Sequence, residues 1–326
     1  MANSFHGLIC ALYILSVAIY SSMITCNARP LMRAPSARML VLVSTPTPLL
    51  TYHGGALVTA PRLRLHVVWY GDFPAAQQGA VADFIASFQA KNVKGPAGAT
   101  TVGKWWRTSQ LYKDSANAAA SAKISKGVVF TDAYSRGKNL TNADLVALVE
   151  ARYAANKKTR TPSSMYVVIT ADDVLVEDFC MNSCGTHDVA ANGKMPFIWV
   201  GNPGKQCPGL CAWPFAIQQH GPPGPALTPP SGDVATDGII INLATLLAGA
   251  VTNPFASGYF QGDPSVPLEA GSACQGKFGA GSYPGYAGKL FTDPSSSASF
   301  NAFGINGRQF LLPALWNPST CTCEAP

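Results

Sequence analysis

Two closely spaced cysteine pairs mark the stretch that decides the fold. From Thr170 to Trp213 the chain runs TADDVLVEDFCMNSCGTHDVAANGKMPFIWVGNPGKQCPGLCAW. The pairs Cys180-x3-Cys184 and Cys207-x3-Cys211 stand on either side of a short apolar strand. In an exported protein such cysteines are far more often disulfides than ligands of a zinc ion. We therefore expect two disulfides here, formed either within each pair or between the two pairs.

The N-terminus indicates export. Residues Leu8–Ile24 are largely apolar and lead to Cys26-Asn27-Ala28, a pattern typical of a secretory signal peptide cleaved before Arg29. A transmembrane anchor is disfavoured, because the run contains serines and has no basic stop-transfer flank. We predict a signal peptide over residues 1–28, a flexible mature N-terminus over 29–51 and a single secreted domain over 52–326.

Further cysteines lie near the C-terminus. Cys274 is expected to bond either Cys321 or Cys323, which ties the end of the chain to a Gly- and Ser-rich region. Two of the nine cysteines belong to the leader, so seven follow it and one is expected to stay unpaired.

Composition narrows the class of partner. Charged residues make up only 12% of the chain, and the formal net charge is +6. The basic residues are dispersed, and the densest cluster, Lys157-Lys158 with Arg160, has no interleaved aromatic residues, so nucleic acid is not expected as a partner. A cell-wall polysaccharide or an extracellular receptor suits an exported basic protein better.

Apolar patterns predict an α/β (α+β) fold with a mixed sheet, flanking helices and one buried helix. Leu63–Tyr70, Met165–Thr170 and Pro196–Val200 are typical of strands, and His66 inside the first is expected to be a hydrogen-bonded core histidine. Ile239–Val251 is apolar on all sides, which predicts a buried helix of about 13 residues, too short to cross a bilayer.

Two more helices are predicted from local signals. Val81, Phe84, Ile85 and Phe88 have the spacing of one helical stripe. Thr141 with an acidic residue three positions later predicts a capped helix start, and Asn139-Leu140-Thr141 is also an acceptor sequence for an N-glycan at Asn139.

The chain resembles the plant EXORDIUM-like family, also called phosphate-induced proteins, over residues 50–323. The motifs that carry the resemblance include Tyr52-His53-Gly54-Gly55, Val67-Val68-Trp69-Tyr70-Gly71, Trp105-Trp106, Thr170-Ala171-Asp172-Asp173-Val174, Cys184-Gly185-Thr186-His187, Cys207-Pro208-Gly209, Asp237-Gly238 and Val251-Thr252-Asn253-Pro254. The resemblance implies a secreted protein of the apoplast or cell wall that takes part in brassinosteroid-dependent control of growth and cell expansion. It implies no enzymatic reaction.

A weaker resemblance concerns the buried helix. Residues 245–254, TLLAGAVTNP, resemble the helix of zincin metallopeptidases, with Thr245, Leu246 and Gly249 at the positions of the zinc ligands and the general base. Glu269 resembles the downstream acidic residue of such enzymes. Because the other ligands are missing, we expect no metal and no cofactor, on either a degenerate zincin-like scaffold or an unrelated α/β fold.

One polar cluster is a candidate for chemistry. Asp172 and Asp173 end a predicted strand, and His187 follows the first cysteine pair, so the three could bind a cation or act as acid and base. The alternative is that the carboxylates cap the next turn. Trp105 and Trp106 could stack on sugar rings, but core packing is the favoured interpretation.

Three functions follow from these observations. The favoured one is a non-enzymatic growth regulator of the apoplast or cell wall. The second is a secreted hydrolase of peptides or glycans that uses Asp172, Asp173 and His187. The third is a binding module for a wall polysaccharide.

Overall fold

The computed structural model describes residues 48–326 except residues 94, 96–98, 182 and 223. The predicted signal peptide and residues 29–47 of the predicted flexible segment lie outside this part of the chain. The described residues belong to one compact unit.

Strands and helices alternate in the first two thirds of this unit, and short strands dominate the last third. The strands are β1 Thr51–Tyr52, β2 Leu63–Tyr70, β3 Thr100–Thr101, β4 Ile124–Asp132, β5 Asn139–Leu140, β6 Ser164–Thr170, β7 Leu175–Val176, β8 Gly185–Ala190, β9 Met195–Gly201, β10 Tyr259–Phe260, β11 Phe291–Thr292, β12 Ser299–Phe300, β13 Ala302–Phe303, β14 Gln309–Phe310, β15 Leu315–Asn317 and β16 Thr322–Glu324. The α-helices are α1 Ala75–Ser87, α2 Val102–Trp105, α3 Asn142–Ala155, α4 Pro208–Cys211 and α5 Val234–Thr252.

A five-stranded mixed sheet in the order β4-β2-β6-β9-β8 forms the centre of the fold. The first four strands are parallel, and β8 runs antiparallel to β9 at one edge. Every residue of β6 and β9 is buried, which explains why both appear in the sequence as unbroken apolar runs. The prediction of an α/β fold with a mixed sheet is therefore confirmed.

Helices cover both faces of the sheet. Helix α3 buries Leu145, Leu148 and Val149 against a core that includes Tyr166 and Trp199. Helices α1 and α5 contact each other, and α5 contacts β8 and β9, so this pair covers the opposite face. The chain thus crosses from β2 to β4 on one side and then over β2 to β6 on the other, as in doubly wound sheets.

The local helix signals are confirmed. Val81, Phe84 and Ile85 are buried on α1, and Phe88 is its C-terminal cap. The side chain of Thr141 accepts the backbone N–H of Asp144, and the Asp144 carboxylate accepts the backbone N–H of Thr141, which forms a complete capping box at the start of α3.

Helix α5 is longer than predicted. It begins at Val234, five residues before the predicted start, because the Asp233 carboxylate caps it by accepting the backbone N–H groups of Ala235 and Thr236. The argument that the helix is too short for a bilayer is therefore wrong, since its 19 residues have the length and composition of a membrane span. However, 78% of its apolar window is buried inside the protein, as expected for a core helix.

Residues 48–51, at the end of the segment predicted to be flexible, contact the C-terminal region. Leu50 is buried, and the carbonyl of Pro48 accepts the indole N–H of Trp316 at 3.1 Å. The backbone N–H of Leu49 donates to the side chain of Gln261. These contacts join residues 48–51 to the C-terminal region, and the flexibility of residues 29–51 stays a prediction.

The four cysteines between Thr170 and Trp213 cross-link the two Cys-x3-Cys motifs. Cys180 bonds Cys207, and Cys184 bonds Cys211, so each bridge spans 27 residues. Bonding within each motif, the other pairing considered, is excluded. The bridges attach the loop before β8 to helix α4.

A third bridge fastens the C-terminus. Cys274 bonds Cys323 on β16, which selects between the two partners that the sequence allowed. Cys321 is also disulfide-bonded. The expectation of one unpaired cysteine in the mature protein stays a prediction.

Candidate functional site

Three elements meet around the C-terminal end of α5. His187 comes from the edge strand β8, Gly249 comes from the last turn of α5, and Asn253 is the C-terminal cap of that helix. Glu269 comes from the loop that follows β10 and leads into the one-turn helix Ser272–Cys274. We refer to His187, Glu269 and Asn253 as the polar triad.

The Glu269 carboxylate is the centre of the polar triad. The imidazole N–H at Nε2 of His187 lies 2.9 Å from Oε1 and 2.8 Å from Oε2 of Glu269. The amide Nδ2 of Asn253 donates to Oε1 at 2.7 Å, and its Oδ1 accepts the backbone N–H of Gly258. Only 12% of the His187 side chain and 9% of the Glu269 side chain are exposed. The carboxylate is therefore held by two donors in a nearly dry environment.

Gly249 makes room for this carboxylate. A Cβ atom at Gly249 would lie 2.4 Å from Oε2 of Glu269 and 3.3 Å from Nε2 of His187. Both distances are shorter than ordinary van der Waals contact, so a side chain at this helix position would displace the polar triad. Glycine is required here for close approach.

The neighbouring zincin-like positions serve packing. The Thr245 hydroxyl donates to the carbonyl of Ile241 at 2.9 Å, within the same helix. A Cβ at Gly271 would lie 2.6 Å from the carbonyl oxygen of Thr245, so the loop containing Glu269 crosses the helix here. Leu246 packs against Gly185 at the start of β8.

The structure thus brings His187 together with two of the four zincin-like positions, Gly249 and Glu269. Sequence analysis did not predict the contact between His187 and Glu269, because it grouped His187 with Asp172 and Asp173. It also missed Asn253, which is fully buried. A polar residue at the end of an otherwise apolar helix was the available signal. Among the described residues no group of three or more His, Cys, Asp or Glu side chains could hold a metal ion.

Asp172 and Asp173 lie elsewhere, in salt bridges with lysines. Asp172 accepts from Nζ of Lys205 at 3.0 Å. Asp173 accepts from Lys138 at 2.5 Å and from the hydroxyl of Tyr134 at 3.1 Å. The Lys138 bond is the main cause that lowers the pKa of Asp173. No contact between these carboxylates and His187 occurs within the residues that the structure describes.

An aromatic ring lies beside Asp173. The carboxyl ends of β2 and β6 form the topological switch point of the sheet, where ligands commonly bind in doubly wound folds. Here Tyr134 covers Gly71, and a Cβ at Gly71 would lie 2.8 Å from the Tyr134 ring. The hydroxyl of Tyr134 accepts the backbone N–H of Asp72. The ring therefore packs against Gly71 at this edge of the sheet.

Comparison with known proteins decides the family. The family model described as "Phosphate-induced protein 1 conserved region" matches residues 50–326. The chain is 46% identical over 280 residues to Protein EXORDIUM-like 2 of Arabidopsis thaliana, covering 84% of this chain and 88% of that protein. The chain belongs to the EXORDIUM-like, phosphate-induced protein family.

Two other relatives give the same assignment. Protein PHOSPHATE-INDUCED 1 of Nicotiana tabacum is 43% identical over 298 residues, which cover 89% of this chain and 92% of the relative. Protein EXORDIUM of Arabidopsis thaliana is 42% identical over 291 residues, which cover 85% and 88%. No solved structure matches the chain. The interpretation of this EXORDIUM-like chain as a degenerate zincin scaffold has no support among these relatives.

Other candidate residues of this EXORDIUM-like chain can also be placed. Trp105 and Trp106 are buried, and their indole N–H groups donate to the carbonyls of Pro313 and Ser121, so they pack in the core. Asn139 is exposed on β5, next to the Thr141 cap. Its glycosylation stays a prediction.

A cavity of this EXORDIUM-like chain was missed by sequence analysis. It lies between α1, the first half of α5 and the segment Asn306–Phe310, with a volume of about 320 Å³. Asp237 and Arg308 line it. The available signal was an acidic residue beside an apolar segment, but Asp237 precedes the predicted helix start at Ile239.

Proposed function

We propose that this chain is an extracellular growth-regulatory protein of plants, located in the apoplast or cell wall, which acts by binding rather than by catalysis. It takes part in brassinosteroid-dependent control of growth and cell expansion. Membership in the EXORDIUM-like family supports the growth role, and relatives carry the names EXORDIUM and PHOSPHATE-INDUCED 1.

The disulfides support an extracellular location. Three bridges join six of the described cysteines, and such bridges persist mainly in oxidising compartments. The apolar leader at residues 8–24 and the acceptor sequence at Asn139 agree with export. N-terminal sequencing of secreted protein tests the location, and the mature chain should begin near Arg29. Recovery of an intact N-terminus from a membrane fraction would contradict the proposal.

The observation that carries the non-catalytic role is the His187–Glu269 contact. A general base must reach its substrate with a free lone pair or carboxylate. Here the two side chains are nearly buried, bond each other at 2.8 Å and share Asn253, so the carboxylate is occupied by protein donors. Gly249 places the contact against the helix backbone instead of in a cleft.

The rival hydrolase would use Asp172, Asp173 and His187. Asp172 and Asp173 each bond a lysine, whereas His187 bonds Glu269, so the three form separate contacts. The exposure of Lys138 and Lys205 keeps the two carboxylates accessible from solvent. Variants at these carboxylates are therefore the direct test of the rival.

Complementation separates the two hypotheses. Plants that lack the endogenous protein are transformed with wild type, with the double variant Asp172→Asn, Asp173→Asn, or with the control Asp188→Asn, which changes an exposed carboxylate next to His187. Growth should be restored equally by all three. Failure of the folded, secreted double variant, together with hydrolysis of wall peptides or glycans by purified wild type, would overturn the proposal. Zinc or calcium bound stoichiometrically after dialysis would favour the rival.

A further inference from the structure

We propose that the cavity between α1, α5 and Asn306–Phe310 binds one neutral sugar residue through Asp237 and Arg308. Its volume of about 320 Å³ is near the lower limit of roughly 300 Å³ for small-molecule sites. This inference names a ligand class for the binding role proposed above and rests on that role for its biological setting. The binding itself is measurable without it.

Asp237 supplies a carboxyl group at the floor of the cavity. It lies in the first turn of α5, and only 2% of the residue is exposed. Both recorded hydrogen bonds to its carboxylate end on Oδ2, from the backbone N–H of Ser231 at 2.9 Å and from its hydroxyl at 2.7 Å. Within the described part of the chain, no protein group donates to Oδ1, so it is the atom left for a ligand hydroxyl.

Burial also changes the titration of this group. It raises the pKa of Asp237 to about 6, although the Ser231 bonds and the charge of Arg308 act in the opposite direction. Near that pH the carboxyl group can either accept a hydrogen bond or donate one. A sugar hydroxyl can serve as the partner in both cases, because it is a donor and an acceptor.

Arg308 supplies donors on the other wall. Its Nε donates to Oδ2 of Asp83 on α1 at 3.0 Å, and the Asn306 amide donates to Oδ1 of the same carboxylate. Asp83 is thereby occupied and holds the guanidinium in place. Among the described residues, no acceptor bonds the terminal nitrogens of Arg308. They can donate to ring or hydroxyl oxygens of a ligand.

The charge of the cavity favours a neutral ligand. Two carboxylates, Asp83 and Asp237, face one guanidinium, Arg308. With Asp237 ionised the site is net negative, which disfavours an anionic sugar such as a uronate. The remaining walls include Ile240, Phe310 and Pro230, whose apolar surfaces suit the C–H groups of a sugar ring. Convergent polar groups on a partly apolar cavity are typical of small-ligand sites.

Calorimetric titration tests the proposal with defined probes. Wild type is titrated with cellotetraose, xylotetraose, galactotetraose and mannotetraose, and with trigalacturonate as an anionic probe. The cavity variants are Arg308→Gln and Asp237→Asn. Arg136→Gln is the matched control, because it removes the same charge from a surface salt bridge with Asp144, outside the cavity.

We expect wild type and Arg136→Gln to bind at least one neutral tetrasaccharide, and both cavity variants to bind it at least about tenfold more weakly. Absence of neutral binding at millimolar probe, binding of trigalacturonate alone, or unchanged binding by Arg308→Gln would each overturn the proposal. Arg308 is about a third exposed, so its variant should fold even if Asp237→Asn does not. If wild type binds no neutral tetrasaccharide but restores growth in the complementation experiment, the sugar site alone is rejected. If it binds the sugar but does not restore growth, the growth role alone is rejected.

Discussion

The Nε2 atom of His187 lies 2.8 Å from Oε2 of Glu269, and both atoms stand directly against the backbone of Gly249. Eighty-two residues separate the two partners in the chain. The contact joins the edge of the sheet, the central helix and the C-terminal region at one point. It occupies the helix face where the resemblance to zincins placed ligands, so its energetic role can be tested there.

We predict that Gly249→Ala destabilises the protein. Alanine normally stabilises a helix relative to glycine by about 0.5–1 kcal/mol. Here the new Cβ would lie 2.4 Å from Glu269 Oε2, so the polar triad must move, and we expect a net loss of about 1–3 kcal/mol. Urea unfolding measures the change. Thr245→Ala, which removes one intrahelical hydrogen bond, is the control and should cost about 1 kcal/mol or less. A more stable Gly249→Ala protein would refute the tight contact.

Loss of the carboxylate should be costly as well. Glu269→Ala leaves the buried His187 ring and the Asn253 amide without their acceptor, and breaking a buried pair costs about 3–5 kcal/mol. The free energy of unfolding is the measurement. Asp172→Asn removes a solvent-exposed pair with Lys205 and should change it by less than about 1 kcal/mol. Equal effects of the two substitutions would contradict the assigned difference in burial.

His66 should make the protein less stable in mild acid. Its Nδ1 accepts the backbone N–H of Val128 at 2.9 Å, and its Nε2–H donates to the hydroxyl of Ser164 at 3.0 Å, so the ring is held neutral. Burial, with a smaller contribution from Arg64, lowers its pKa from 6.5 to about 4.

The stabilising effect of this low pKa is therefore complete above pH 6.5 and is lost as the pH falls towards about 4. His66→Asn keeps an acceptor near the Val128 N–H but cannot titrate. We expect a flatter dependence of unfolding free energy on pH for His66→Asn than for wild type over that interval. An unchanged slope would show that another group dominates.

Asp237 should act in the opposite direction. Its pKa in the folded protein is raised from 3.8 to about 6 by burial, so the folded state binds the proton more tightly than the unfolded chain. Its contribution to the free energy of unfolding is complete below pH 3.8 and is lost as the pH rises through about 6. At about 1.4 kcal/mol per pKa unit, the loss is at most roughly 3 kcal/mol.

Asp237→Asn should remove this loss. The free energy of unfolding of the variant at neutral pH should therefore rise relative to its value in acid. Urea midpoints at several pH values measure it, with Ser231→Ala as a control that removes one hydrogen bond but keeps the titrating group. Urea midpoints that are the same in wild type, Asp237→Asn and Ser231→Ala at every pH would contradict the assignment.

Peptide mapping without reduction should find the bridges Cys180–Cys207, Cys184–Cys211 and Cys274–Cys323. Replacing Cys274 by Ser should lower the free energy of unfolding by about 2–5 kcal/mol, because the bridge restrains the unfolded chain across 49 residues. Bridges within the motif Cys180-x3-Cys184 would refute the cross-linked arrangement.

Local sequence determined much of the secondary structure. The two fully buried strands β6 and β9 are apolar throughout, and the capping box at Thr141 involves residues only three positions apart. These signals depend on neighbouring residues, so they can be recognised without the fold. Strands β4 and β8 were missed because each exposes part of its length and carries polar residues, and their extended form depends on pairing with β2 and β9.

The sequence by itself determined the family, the α/β class and the use of cysteines for disulfides, because motifs and composition carry that information directly. Only the tertiary structure decided which cysteines bond, that His187 contacts Glu269, and that Asp237 and Arg308 share a cavity. Each of these relationships joins residues far apart in the chain. Their distance in space is set by how the sheet, α5 and the C-terminal segment pack, and no local pattern of residue types specifies that packing.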